Sequence, residues 1–118
     1  MEERKTGKLY IVGTPIGNLG DITVRALEVL KSADLKACED TRHTLGLLTH
    51  FGIRKPLVSY YKPKEKEGAE RILASLRRGD TVALVTDAGM PCISDPGALL
   101  VGRAVNEGIE VSSAPGSE

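Results

Sequence analysis

The sequence predicts an α/β fold: a five-stranded, mostly parallel sheet flanked by helices on both faces. Three observations carry this. Short apolar runs alternate with amphipathic stretches along the chain, as in a parallel sheet whose strands are joined by helices. The run Val82 to Val85 is apolar without interruption, as suits a central strand covered on both faces. Two strand-like runs, Lys8–Val12 and Val82–Val85, each lead into a loop of glycines and prolines and then a helical pattern. Ligands of open parallel sheets bind beyond the carboxyl ends of the strands, near a switch in strand order, and both loops lie at such ends.

Each element has its own signal. Met1–Gly7 is polar and is expected to fray, leaving residues 8–118 as the folded unit. Lys8–Val12 reads as a buried strand. Asp21 is placed as the cap of a helix from Ile22 to about Ala33, with Ala26, Leu27, Val29, Leu30 and Ala33 on its apolar side. Leu35–Glu39 is a second strand. A helix from about Thr41 to Phe51 turns Leu45, Leu47, Leu48 and Phe51 inward and is stopped by Gly52. Leu57–Tyr61 is a third strand. From Glu65 to about Arg78, Ala69, Ile72, Leu73 and Leu76 recur at helical spacing, and Gly79 ends the pattern. After the fourth strand, Asp95 is placed as a cap and Pro96 as the first residue of a helix that ends near Gly108. Ile109–Ser112 is the fifth strand.

At 118 residues, the chain is one domain, able to bury roughly two-thirds of its unfolded surface. Its 16 basic and 16 acidic residues balance, so global charge argues neither for nor against a nucleic-acid partner. One Phe, three Tyr and no Trp leave little for a base-stacking platform. Cys38 and Cys92 lie far apart with no CxxC spacing, which fits a reduced, cytoplasmic protein. No apolar run approaches the roughly 20 residues of a membrane span. His43 and His50 lack a carboxylate or thiol in register, so no metal site is expected. The final Ala114-Pro115-Gly116-Ser117-Glu118 follows a strand directly and lies inside a Pro-Gly turn, which leads us to expect a chain cut short there.

The first loop lacks the lysine and hydroxyl of a P-loop. Its Gly13, Gly17 and Gly20 give GxxxGxxG rather than a dinucleotide fingerprint, and Pro15 breaks the tight pyrophosphate turn. For one such loop, a plain turn is an equal reading. Two matching loops favour a small polar ligand held by backbone that glycine allows to approach closely.

The segments GTPIGNLGDIT (13–23), CEDTRHT (38–44), LVTDAGMPCISDPG (84–97) and APG (114–116) resemble the tetrapyrrole-methylase superfamily. Within it they are most similar to the ribosomal RNA small-subunit methyltransferase I family. The resemblance covers Lys8 to Gly116 in order, and the first two segments separate this branch from the corrin and porphyrin enzymes. It implies the N-terminal half of a two-domain, S-adenosylmethionine-dependent methyltransferase with sheet order 3-2-4-1-5. It also implies 2′-O-methylation of a cytidine ribose in small-subunit ribosomal RNA.

By the same resemblance, Thr14, Pro15 and Gly17 line the cofactor from the first loop. Asp87, Ala88, Gly89 and Pro91 line it from the fourth strand, with Ser94, Asp95, Pro115 and Gly116 nearby. For Asp95 a helix cap is an equal reading, and Asp21 reads as a cap. Glu39, Asp40, Thr41, Arg42 and His43 form the candidate substrate segment. Arg42 suits a phosphate and Asp40 could fix Arg42 or the ribose; the plain alternative is a cap at Asp40 or Thr41 with a surface arginine. No general base is identifiable, and none need be strong, because methyl transfer from a sulfonium is largely positioning.

Two departures from the family pattern stand out: Tyr61-Lys62-Pro63-Lys64-Glu65 after the third strand, and Ser117-Glu118 after the terminal Pro-Gly. The expected partners are small-subunit ribosomal RNA, the second domain of the same protein and a second copy of the chain as a homodimer. This half alone is expected to be inactive. Two other readings stay open: a methyltransferase for a tetrapyrrole or other small molecule, and a non-catalytic nucleotide-binding module. The basic residues Arg42, Arg54, Lys55, Lys62, Lys64 and Lys66 favour RNA if they share a face.

Overall fold

A computed structural model describes residues 6–15, 17–54, 56–87 and 94–114. Strand β1 (Lys8–Thr14) is followed by a short 3-10 turn (Leu19–Asp21), helix α1 (Val24–Ser32) and strand β2 (Leu35–Cys38). Helix α2 (Thr41–His50), strand β3 (Leu57–Ser59) and a second 3-10 turn (Lys62–Lys64) come next. Helix α3 (Glu65–Arg77), strand β4 (Val82–Asp87), helix α4 (Asp95–Asn106) and strand β5 (Glu110–Ala114) complete the described chain. The sheet order is β3-β2-β4-β1-β5, and every pairing is parallel. This is the order that the resemblance implied.

Period-two alternation along β4 divides the core. Val82 and Leu84 pack with Ile72, Leu73 and Leu76 of α3 and Leu100 and Ala104 of α4. Ala83 and Val85 turn the other way, toward Ala26, Val29 and Leu30 of α1 and Leu47 and Leu48 of α2. All four β4 side chains are buried, which explains why this strand reads as a continuous apolar run. Arg77 and Arg103 fix the outer faces of α3 and α4 through ion pairs with Glu70 and Glu107 at 2.7–2.8 Å.

Several boundaries differ from the sequence reading. Helix α1 is capped by Thr23, whose hydroxyl accepts from the Ala26 N–H at 3.0 Å. Asp21 is not its cap but the last residue of the preceding 3-10 turn. Ser94, not Asp95, caps α4 by accepting from the Gly97 N–H at 3.4 Å. Asp95 and Pro96 therefore occupy the first turn, where a carboxylate suits the helix dipole. Leu45 points outward, 39% exposed, because Thr44 takes the inward position on that turn. The third strand stops at Ser59, and the fifth runs from Glu110 to Ala114 rather than from Ile109 to Ser112. Gly52, Gly79 and Gly108 adopt positive φ after α2, α3 and α4, as stops that glycine accepts without strain.

At the amino edge of the sheet, polar groups are consumed in tying segments down. Buried Lys36 donates from Nζ to the carbonyls of Ala33 at 3.0 Å and Arg54 at 2.8 Å. The Thr81 N–H donates to the Asp34 carboxylate at 2.9 Å, and Ser75 donates to Asp80 at 2.8 Å. Gly7, assigned from composition to a fraying lead-in, is anchored here instead: its N–H donates to the Leu76 carbonyl at 2.7 Å. A Cβ on Gly7 would sit 1.6 Å from the Asp80 carbonyl oxygen.

Candidate functional site

Parallel pairing carries the ends of β1 and β4 to the same edge, where Thr14 stands opposite Asp87 and Gly13 opposite Thr86. Thr14 is fully buried, and its hydroxyl donates to the Thr86 carbonyl at 3.2 Å. That hydroxyl is therefore spent on locking the two strand ends, and the first loop leaves from a fixed point. Asp87 is exposed and makes no ion pair among the described residues. Gly17 stands open, with nothing among the described residues within 4 Å of where a side chain would begin.

The substrate segment leaves β2 at this same edge, since Cys38 pairs with Val85 of β4. Asp40 caps α2 by accepting from the Arg42 N–H at 3.0 Å. The same carboxylate lies 3.6 Å from the Arg42 Nε, and the Arg42 side chain is 91% exposed. Capping and presentation thus coexist: Asp40 fixes the backbone while Arg42 faces solvent. Glu39 is exposed and Thr41 half-buried. His43 turns away from Arg42, its Nε2 lying 3.2 Å from the Pro15 carbonyl oxygen. Burial raises the pKa of the Cys38 thiol, against a lowering hydrogen bond from Thr44, so this cysteine is no ready nucleophile.

A third strand end supports the start of α4. Buried Tyr60 donates its hydroxyl to the Pro96 carbonyl, and Lys62 Nζ lies 3.3 Å from the Asp95 carboxylate. Burial first, and then Glu65, push the Tyr60 pKa up to about 12, so the phenol remains a donor at neutral pH. Asp95 and Pro96 are thereby held by residues that follow β3. Sequence reasoning missed Tyr60, although a signal was present in Gly68: a Cβ there would come within 2.6 Å of the Tyr60 ring.

Of the residues assigned to the cofactor, Thr14, Pro15, Gly17 and Asp87 gather at one edge, Asp95 is tied to Lys62 after β3, and Ser94 caps α4. Ala88, Gly89, Pro91, Pro115 and Gly116 lie outside the described residues. The basic set divides: Lys62 and Lys64 follow β3, with Lys66 just beyond in α3, whereas Arg54 precedes β3 at the amino edge. Lys55 lies outside the described residues. No helix among the described residues is long and apolar enough to cross a membrane.

Comparison with known proteins bears on the family and the fold. The family described as Tetrapyrrole (Corrin/Porphyrin) Methylases matches residues 8–117. The chain is 54% identical over 109 residues to a protein of Mycoplasmopsis pulmonis named ribosomal RNA small subunit methyltransferase I, covering 92% of the chain and 49% of that relative. It is 54% identical over 110 residues to the protein of the same name from Thermotoga maritima, covering 93% and 50%. The chain thus spans about half the length of these relatives. Among solved structures, uroporphyrin-III-C-methyltransferase from Thermus thermophilus matches with a TM-score of 0.71 at 27% identity, covering 93% of this chain and 47% of that one.

Proposed function

We propose a function for this chain from one established premise: it belongs to the tetrapyrrole (corrin/porphyrin) methylase family. On this reading it is the N-terminal half of an S-adenosylmethionine-dependent methyltransferase. The enzyme works in the cytoplasm and methylates the 2′-oxygen of a cytidine ribose in small-subunit ribosomal RNA. The observation that carries the reading is the in-register pairing of Thr14 with Asp87 beneath a rim that presents Arg42 to solvent.

The residues present fit the cofactor. Asp87 offers an exposed carboxylate for an amine or ribose hydroxyl, and Gly17 leaves room for close backbone approach. When bound, S-adenosylmethionine supplies an electrophilic methyl group on a sulfonium centre. Thr14 contributes by fixing the strand ends, not by contact through its hydroxyl, which is engaged with Thr86. Ser94 and Asp95 complete the far side, in a helix start held by Tyr60 at Pro96 and by Lys62 at Asp95.

Arg42 takes an RNA phosphate, its fork-shaped guanidinium suiting bidentate contact. Lys64 and Arg71, with Glu67 between them, help to line a groove of about 430 Å³ between β3 and α3. Binding and orientation of the ribose, together with exclusion of water by a second domain, supply the rate enhancement.

A second reading, methylation of a tetrapyrrole, is favoured by the likeness to uroporphyrin-III-C-methyltransferase. The higher identity to the ribosomal RNA enzymes, 54% against 27%, argues for RNA. The test incubates the intact protein with labelled S-adenosylmethionine and either undermethylated small subunits or uroporphyrinogen. Label in one 2′-O-methylcytidine is the expected result. Label only in the tetrapyrrole overturns the RNA reading, and binding without transfer to either points to a non-catalytic module.

A further inference from the structure

His43 belongs by sequence to the segment assigned to substrate, yet its ring reaches a different segment. Its Nε2 lies 3.2 Å from the carbonyl oxygen of Pro15 in the loop after β1. The sheet order gives this contact its meaning. β1 and β2 are not neighbours; β4 stands between them. Adjacent strands are about 4.8 Å apart, so a contact from the start of α2 to the loop after β1 spans the width of β4.

The chemistry makes the bond directional. A carbonyl oxygen only accepts, so Nε2 carries the proton and His43 is the donor. Pro15 has no N–H of its own, so on that residue its carbonyl is the backbone group through which this hydrogen bond holds the loop. Thr14, one residue earlier, is locked to Thr86. Gly17, two residues later, stands open, with nothing among the described residues within 4 Å of a would-be side chain. Between a fixed point and an open one, the His43 bond sets the direction in which the loop leaves the sheet.

We propose that His43 is a positioning residue for the cofactor loop: from the first turn of α2 it holds Pro15, and with it the start of the loop after β1. Its role is to shape the cofactor site rather than to contact RNA or move a proton. The proposal rests on the methyltransferase reading for its functional consequence, but the hydrogen bond is testable without it.

Two measurements on the intact protein decide the matter. The first uses imidazole 15N NMR without cofactor. A protonated Nε2 on neutral His43, with a signal perturbed by Pro15→Ala, is expected; an Nε2 without a proton overturns the proposal. The second is calorimetric titration with S-adenosylhomocysteine. His43→Ala is expected to weaken binding about tenfold, the size of one lost hydrogen bond. His43→Gln, whose amide nitrogen can replace Nε2, is expected to restore most of it. The turnover rate at saturating substrates should change less than the cofactor affinity. Unchanged cofactor affinity in His43→Ala, or a loss of turnover with affinity intact, overturns the proposal. If the unmodified protein fails to bind the probe, the methyltransferase reading itself falls, while the NMR result still reports on the hydrogen bond.

Discussion

The two edges of this sheet are built in opposite ways. At the amino edge, Lys36, Asp34, Asp80 and Ser75 are all engaged in hydrogen bonds that fasten loops and helix ends. At the carboxyl edge, Glu39, Arg42 and Asp87 are exposed, and the hydrogen bonds present shape the backbone: Thr14 to Thr86, His43 to Pro15 and Asp40 to Arg42. One edge uses its polar groups for stability. The other fixes its backbone and leaves charged groups available, as a binding site on a rigid scaffold requires. Substitutions at the amino edge should therefore lower stability, and those at the carboxyl edge should lower binding.

The largest effect is expected from Gly7→Ala. The new Cβ would lie 1.6 Å from the Asp80 carbonyl oxygen, a backbone atom that cannot swing aside. Equilibrium denaturation should show a loss of about 3 kcal/mol, at the upper end for overpacking. A loss below about 0.5 kcal/mol would mean that this edge is more yielding than the geometry implies.

Lys36→Met comes next. It leaves the Ala33 and Arg54 carbonyls without their buried donor, at a cost of about 2 kcal/mol. The comparison sharpens with pH, because burial lowers the Lys36 pKa from its ordinary value of 10.5. Between the folded and unfolded pKa values, the unfolded chain binds more protons, so the contribution of this group to stability rises with pH. The stability gap between the parent protein and Lys36→Met should widen as alkaline pH crosses that window. A gap that narrows there would reverse the sign of the argument.

Arg42→Ala has the smallest expected effect on stability, within about 0.5 kcal/mol, because the side chain is 91% exposed. Its effect should appear in function instead: methylation of ribosomal subunits by the intact enzyme falls at least about tenfold, as for a lost charge-assisted contact, while cofactor affinity holds. Equal loss of cofactor binding would move Arg42 into the cofactor site.

Much of this division was legible in the sequence. The alternation of strand and helix, the apolar run of β4 and the glycines after the helices all reflect local constraints that one residue type satisfies. Caps were less legible: Asp21 and Asp95 each have a competing hydroxyl nearby, Thr23 and Ser94, and the choice depends on where the chain turns. The amino-edge ties escaped notice because Lys36 and Gly7 look like ordinary polar and flexible residues until tertiary packing surrounds them. The same is true of the site. Motif resemblance brought Thr14, Asp87 and Arg42 forward, but the reach of His43 across β4 exists only once the strand order is known.

The most direct test of the central claim is calorimetric titration of the intact protein and its Asp87→Asn variant with S-adenosylhomocysteine, beside thermal unfolding of both. If the ends of β1 and β4 form the cofactor site, the variant binds at least about tenfold more weakly, as expected for a lost charge-assisted hydrogen bond, and unfolds at the same temperature. Unchanged affinity, or a loss matched by a fall in unfolding temperature, would contradict it.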